Sequence, residues 1–302
     1  MECFKRGENM FWVYMKYNLK IMLKKKLFWI VLYGMLFMAV GMPLYNVWRY
    51  RGCFDYELPS ADILYLGNYN GLAWGYISVL VPFLIVLPYG FSYISEVRTG
   101  TKNYVQVRGT RKMYYYTQLF VCFLSVFFVF FFPFLINICL NGAFFPVNGN
   151  DHITLTHVGT SNWSANITGS NFLKNVFHHG MILKQIVINY PQLYNVIFAG
   201  IASVSLGIMG MFIYAISLIL KKNYVYLMIT SFMIFQLFIV CNHFSYDEIF
   251  SSVYIDLKLT DYLANRMIAS GKDYIVFGIL MLAGVLVSVL IIRRRIVRDE
   301  LC

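Results

Sequence analysis

The sequence predicts an all-α integral membrane protein with six transmembrane helices, an N-terminal interfacial helix and both termini in the cytoplasm. Two properties of its 302 residues support this fold class: 59% are apolar and only 13% are charged. Soluble domains carry about 25% charged residues, so an ordinary soluble or disordered chain is excluded. The third observation is that the basic residues, which give a net charge of +11, cluster beside apolar runs. This clustering indicates membrane topology and contact with lipid, and we expect no nucleic-acid partner.

Six apolar runs are long enough to cross a bilayer, which takes roughly 20 residues at about 1.5 Å of rise each. They cover residues 27–48, 72–94, 115–140, 193–220, 223–242 and 274–292. The first run is too long for a signal peptide and no small-residue cleavage site follows it, so we expect it to be retained. The chain, 1–302, is interpreted as one transmembrane domain.

The orientation of the spans follows from the positions of Lys and Arg, which cytoplasmic loops keep in excess. Eighteen of the 25 basic residues lie on the side that holds both termini. The loop 96–112 is therefore predicted to be cytoplasmic. The two long loops, 141–192 and 243–273, are predicted to be extracellular.

The segment 1–26 is predicted to form a helix that lies in the cytoplasmic interface and leads into the first span. Its apolar residues recur three and four positions apart, and its lysines recur every four, at Lys16, Lys20 and Lys24. This spacing is typical of a basic amphipathic helix at a membrane surface. A general anchor to anionic lipid and a specific contact with a partner both remain open.

The predicted spans contain no Asp, Glu, Lys, Arg or His in their apolar interiors. Proton-coupled transporters, intramembrane proteases and membrane transferases need such groups at depth, so these classes are disfavoured. No phosphate-binding loop is present, and neither the histidines nor the cysteines have the spacing of a metal site. We therefore expect a non-catalytic chain without a metal or cofactor of its own.

Two spans carry residues that predict how helices pack. Small residues at four-residue intervals let helices approach closely, either within one chain or across a dimer seam. They occur in the fourth span at Ala199, Ser203 and Gly207, with Gly210 nearby. In the second span, Pro82 and Pro88 remove backbone donors and predict a kink.

The cytoplasmic loop carries the most specific local pattern, made up of Glu96, Gly100, Arg108, Gly109, Thr110 and Tyr114. It resembles the coupling segment between spans 2 and 3 in permease subunits of ABC transporters of the ABC-2 type, also called type V exporters. The outer loop 243–273 is amphipathic at helical spacing and is predicted to form one or two short helices in the outer interface. The interfacial helix, the six spans and these outer helices between spans 5 and 6 are similar to that family's layout. Two features depart from it: no ATPase domain is fused, and loop 141–192 is longer than usual.

The resemblance implies a bacterial plasma-membrane complex of two permeases, identical or homologous, with two copies of a separate ATPase subunit that holds ATP and Mg. It implies that Tyr104, Val105 and Val107 insert into a groove of the ATPase, and that basic residues such as Lys102 and Arg108 meet acids at its rim. Glu96 is expected to pair with a residue of the interfacial helix, such as Lys16 or Lys20.

The uncharged spans favour export of an amphipathic or hydrophobic substrate, such as a peptide antibiotic, a lipid or a drug. A strongly charged solute would find no partner along the pathway. The alternative is a non-transporting immunity or sensor protein that binds a peptide through its extracellular loops.

Overall fold

A computed structural model describes residues 2–54, 58–67, 72–101, 111–146, 186, 190–220, 223–245, 263 and 271–301. The described residues form α-helices joined by turns and irregular segments, with no strand among them. The helices are α1 (Glu2–Lys24), α2 (Lys26–Arg49), α3 (Leu72–Val86), α4 (Ser92–Thr99), α5 (Arg111–Phe144), α6 (Pro191–Leu220), α7 (Tyr224–Ser245) and α8 (Gly271–Leu301). The predicted all-α class is confirmed.

Four helices are long and apolar enough to cross a membrane: Lys26–Arg49, Arg111–Phe144, Gln192–Leu220 and Tyr274–Asp299. They coincide with the predicted first, third, fourth and sixth spans, so the chain is a multi-pass membrane protein. The predicted second span falls on a shorter apolar helix, Gly75–Val86, and the predicted fifth span falls on α7, within which Tyr224–Leu237 is an apolar stretch. A total of six spans and the cytoplasmic position of the termini remain predictions.

The predicted second span is not one continuous helix. α3 ends at Val86, residues 87–91 form turns, and α4 begins at Ser92. Pro88 lies in the break, where its missing N–H cannot continue a helical ladder. Gly90 fits the tight turn there, because its amide donates to the Val86 carbonyl oxygen at 2.9 Å and a Cβ at this position would lie 2.7 Å from that oxygen. At about 1.5 Å per residue, α3 is about 22 Å long, shorter than the roughly 30 Å hydrocarbon core.

α5 is the central helix of the bundle and packs against α6, α2 and α1. At about 1.5 Å per residue it is about 50 Å long, so it extends beyond the hydrocarbon core. One face is buried along almost its whole length, from Tyr114 to Asn141. The phenylalanines of α5 divide between this face and the surface: Phe130 and Phe134 are fully buried, whereas Phe132 is 49% exposed.

Asparagine side chains form hydrogen bonds that hold the segment 58–67 against one end of the bundle. Asn137 accepts a hydrogen bond from the Leu66 amide at 2.8 Å and donates to the Ala39 carbonyl of α2 at 3.0 Å. Asn141 donates to the Leu64 carbonyl, and Asn195 donates to the Asp62 carbonyl, both at 3.0 Å. Since buried backbone groups need partners, these asparagines allow an irregular segment to pack on apolar helices.

Candidate functional site

The candidate coupling site begins in α4, the short helix that precedes the predicted cytoplasmic loop. α4 ends at Gly100, whose φ of +72° lies in the left-handed region that glycine adopts without strain. Ser92, Tyr93 and Ile94 are buried, whereas Val97, Arg98 and Thr99 are exposed. Glu96 lies between these two groups, at the edge of the bundle.

The Glu96 carboxylate is hydrogen-bonded to two side chains of α5. Its Oε2 accepts hydrogen bonds from the Tyr114 hydroxyl and, at 2.7 Å, from Nε2 of Gln118. Tyr114 and Gln118 are four residues apart, so they lie one above the other on the same helix face. Gln118 Oε1 in turn accepts a hydrogen bond from the Tyr214 hydroxyl of α6 at 2.6 Å. A continuous chain of hydrogen bonds therefore joins α4, α5 and α6.

Lys25, at the junction of α1 and α2, carries the positive charge that acts on this carboxylate. Burial raises the pKa of Glu96, while the hydrogen bonds from Tyr114 and Gln118 and the charge of Lys25 oppose that rise. Burial likewise lowers the pKa of Lys25 to about 8, against the opposing charge of Glu96. The Lys25 ammonium also lies 4.6 Å from the centre of the Tyr89 ring, a cation–π arrangement.

One oxygen of this carboxylate, Glu96 Oε1, is buried without a hydrogen-bond partner in the described part of the chain. An unpaired carboxylate oxygen is costly in a low-dielectric interior. The attraction of Lys25 and the two donors on Oε2 offset part of this cost. We call Lys25, Glu96, Tyr114, Gln118 and Tyr214 the Glu96 cluster.

The predicted interfacial helix α1 contacts the same region of α5. Asn18 is buried, and its Nδ2 donates to Oγ1 of Thr117 at 3.0 Å. Thr117 adjoins Gln118 in the sequence, so α1 is fixed to α5 beside the Glu96 cluster.

The expected pairing of Glu96 with Lys16 or Lys20 is replaced by a different arrangement. Lys16, Lys20 and Lys24 are all exposed, and Lys25 is the lysine whose charge acts on the carboxylate. The physical reason is helix orientation, because buried Asn18 and Met22 turn the lysines at positions 16, 20 and 24 away from α5.

A second contact joins α4 to the beginning of α7. Arg98 donates from Nη2 to Asn223 Oδ1 at 3.3 Å, and its guanidinium lies 4.4 Å from the centre of the Tyr224 ring. α4 is therefore held by α5 on one side and by α7 on the other.

Several predicted residues lie outside the described part of the chain. These are Lys102, Tyr104, Val105, Val107, Arg108, Gly109 and Thr110 of the coupling loop, together with most of the loops 141–192 and 243–273. Of the predicted coupling residues, the structure describes Glu96 and Gly100. It also describes Tyr114, the last residue of the pattern that resembles the ABC-2 coupling segment.

The small residues of α6 pack against α5 of the same chain. Ala199 and Ser203 are fully buried. A Cβ at Gly207 would lie 2.7 Å from Cδ2 of Phe123, and one at Gly210 would lie 2.8 Å from Cγ2 of Val126. Of the two alternatives for this face, the structure thus shows close packing within the chain.

Sequence reasoning identified Glu96 and Tyr114 but missed Lys25, Gln118 and Tyr214. Gln118 carried a detectable signal, since it is a polar residue one helical turn after Tyr114 in a mainly apolar run. Lys25 lies among three consecutive lysines, and nothing in the sequence separates it from its neighbours.

Among the described residues, no group of three or more His, Cys, Asp or Glu side chains is arranged to hold a metal ion. Cys53, Cys122 and Cys139 are free thiols. The Glu96 cluster links α4, α5 and α6 through side-chain hydrogen bonds. In comparisons with known proteins, no family model, no curated protein and no solved structure matches this chain.

Proposed function

We propose that this chain is the permease subunit of an ATP-driven exporter of the ABC-2 type, working with a separate ATPase subunit. The observation that carries the proposal is the hydrogen-bonded connection from Glu96 to Gln118 and Tyr214. This connection begins six residues before Lys102, at the start of the loop that would contact the ATPase. A push on that loop would therefore reach two membrane-spanning helices through buried, directional contacts.

The mode of attachment of α1 supports the same proposal. An interfacial helix that only anchored the chain to lipid would not need a buried asparagine, yet Asn18 bonds to Thr117 of α5. An ATPase that closed beneath α1 and α4 would move both against α5. In the proposed complex, two permeases enclose a pathway, two ATPase subunits supply ATP and Mg, and both termini of each six-span permease lie in the cytoplasm of a bacterium.

The proposed cargo is amphipathic or hydrophobic. In the described parts of the spanning helices, ionised side chains occur at helix ends, such as Arg295 with Asp299, and the buried polar groups are amides and hydroxyls. Transfer of a charged solute past such a lining would leave its charge unpaired, at a cost of several kcal/mol.

The experiment is affinity purification of the full chain from its native host, followed by an ATPase assay of any soluble chain with a phosphate-binding loop that accompanies it. The double variant Tyr104→Asp/Val105→Asp should release that chain, because an unpaired charge in an apolar groove is strongly unfavourable. Tyr190→Asp is the matched control, since Tyr190 is 65% exposed and lies on the predicted outer side. Purification without any such ATPase, or equal recovery with the double variant, would reject the proposal.

A further inference from the structure

A pocket of mixed chemistry lies between the end of α6 and the end of α8. Its volume is about 240 Å³. Three aliphatic and three basic residues line it: Leu218, Ile219, Ile291, Arg294, Arg295 and Arg298. We call it the arginine pocket.

One of the three arginines, Arg295, already binds other side chains of the protein. Arg295 forms an ion pair with Asp299 at 3.2 Å, and its Nη2 donates to the Tyr93 hydroxyl at 3.1 Å. Asp299 is further held by a hydrogen bond from the Tyr115 hydroxyl. Because these contacts connect α8 to α4 and α5, they fix the wall of the pocket.

The other two arginines, Arg294 and Arg298, line the pocket, and no described carboxylate forms an ion pair with them. Arg294 and Arg298 are one helical turn apart and exposed. No carboxylate pairs with either of them among the side chains that the structure describes, since Asp299 is bound by Arg295. Two adjacent guanidinium groups that no described carboxylate neutralises form a site for an anion, and their planar donor sets match phosphate oxygens.

The aliphatic half of the pocket narrows the choice of anion. The apolar span of α8 runs from Tyr274 to Asp299, so the arginines lie at its charged end, where lipid headgroups would be. Ile219 is 62% exposed, although it lines a pocket beside arginines. A small inorganic anion would leave it uncovered, whereas the acyl chain of a lipid would cover it.

We propose that the arginine pocket binds an anionic phospholipid, with its phosphate on Arg294 and Arg298 and its acyl chain on Ile219 and Ile291. Basic pockets between membrane helices are known to hold anionic headgroups. The bound lipid would lie against α8 and, through Arg295 and Tyr93, close to α4. This proposal does not depend on the transport function proposed above.

The test is native mass spectrometry of the full chain in detergent, titrated with phosphatidylglycerol or with phosphatidylcholine. Wild type should retain phosphatidylglycerol in preference to phosphatidylcholine. The double variant R294Q/R298Q should bind phosphatidylglycerol about thirtyfold more weakly, because each of the two guanidinium groups that contact the phosphate contributes roughly a fivefold factor. R298Q alone should show about a fivefold loss.

The matched control is R293Q/K24Q, which removes two charges from exposed residues that do not line the pocket. It should bind phosphatidylglycerol as wild type does, with all variants keeping the wild-type melting temperature. The proposal would be overturned by unchanged binding in R294Q/R298Q, by an equal loss in the control or by equal retention of phosphatidylcholine. Displacement of the lipid by an equal concentration of inorganic phosphate would overturn it in favour of a small-anion site.

Discussion

Replacement of Glu96 by alanine should destabilise the protein, whereas replacement by glutamine should not. Alanine removes the acceptor of two buried donors, the Tyr114 hydroxyl and the Gln118 amide. A buried donor without a partner costs about 1–3 kcal/mol, so the two together cost about 2–6 kcal/mol. The loss of a partly desolvated carboxylate offsets some of this, and we expect a net loss of about 2 kcal/mol or more.

Glutamine preserves the geometry at lower electrostatic cost. Its carbonyl oxygen can take the position of Oε2 and keep both donors paired, while its amide occupies the position of Oε1, which has no partner among the described residues. We expect Glu96→Gln to lie within about 1 kcal/mol of wild type in stability, since one unpaired buried group is exchanged for another.

The pH dependence of stability gives an independent check. Burial raises the pKa of Glu96 above its usual 4.5. A carboxyl with a raised folded pKa stabilises the fold below its unfolded pKa, and this contribution is lost as the pH rises through the folded pKa. Relative to wild type, Glu96→Gln should therefore become more stable as the pH is increased from below 4.5 towards neutrality.

The assay is thermal unfolding of the purified chain in detergent across a pH series. For a chain of 302 residues, a loss of about 2 kcal/mol corresponds to a decrease of about 3 °C in melting temperature. Tyr114→Phe, which removes one of the two donors and leaves Gln118 in place, should give an intermediate decrease. The carboxylate would not hold α4 to α5 as argued if Glu96→Ala had the melting temperature of wild type, or if Glu96→Gln had a melting temperature as low as that of Glu96→Ala.

Three further predictions concern packing, charge and topology. Gly207→Ala should lose about 1–3 kcal/mol of stability, because the added methyl group would overpack on Phe123. Gly200→Ala should lose none, because there is open space where its Cβ would lie. Equal melting temperatures of the two variants would contradict this. Burial lowers the pKa of Lys25 from 10.5 to about 8, so the unfolded chain binds more protons than the folded chain between these two pH values. The stability of wild type should therefore rise by up to about 3 kcal/mol relative to Lys25→Met as the pH increases through that window. Parallel profiles of stability against pH would contradict this. An impermeant thiol reagent added to whole cells should label a cysteine at Asn148 and not one at Lys102, and the reverse pattern would invert the predicted orientation.

The sequence predicted the parts of the fold that depend on periodicity and length. The apolar spacing around Met15 and Leu19 predicted α1, and four long apolar runs predicted the four candidate spans. These features are local, since hydrophobic pattern and helix length are read along one stretch of chain. Pro88 likewise indicated a distortion, although it did not reveal that the helix stops at Val86 and resumes at Ser92.

The contacts of the candidate site were harder to predict because they join residues far apart in the sequence. Gln118 and Tyr214 are separated by 96 residues, and Asn18 and Thr117 by 99. Each residue alone is a neutral polar group in or near an apolar segment. Only their partners show that they link helices, and those partners follow from the packing of α5 against α1 and α6.

The buried polar groups bear on what the membrane helices could bind. Asn137 uses its carbonyl for the Leu66 amide and its amide for the Ala39 carbonyl, so it has little capacity left for a solute. Ser231 likewise donates to the Pro82 carbonyl at 2.7 Å, which ties α7 to α3. Because these groups are already engaged within the protein, a cargo that passed along the described helices would meet mainly apolar side chains. The same contacts that stabilise the bundle are therefore consistent with the hydrophobic or amphipathic cargo proposed above.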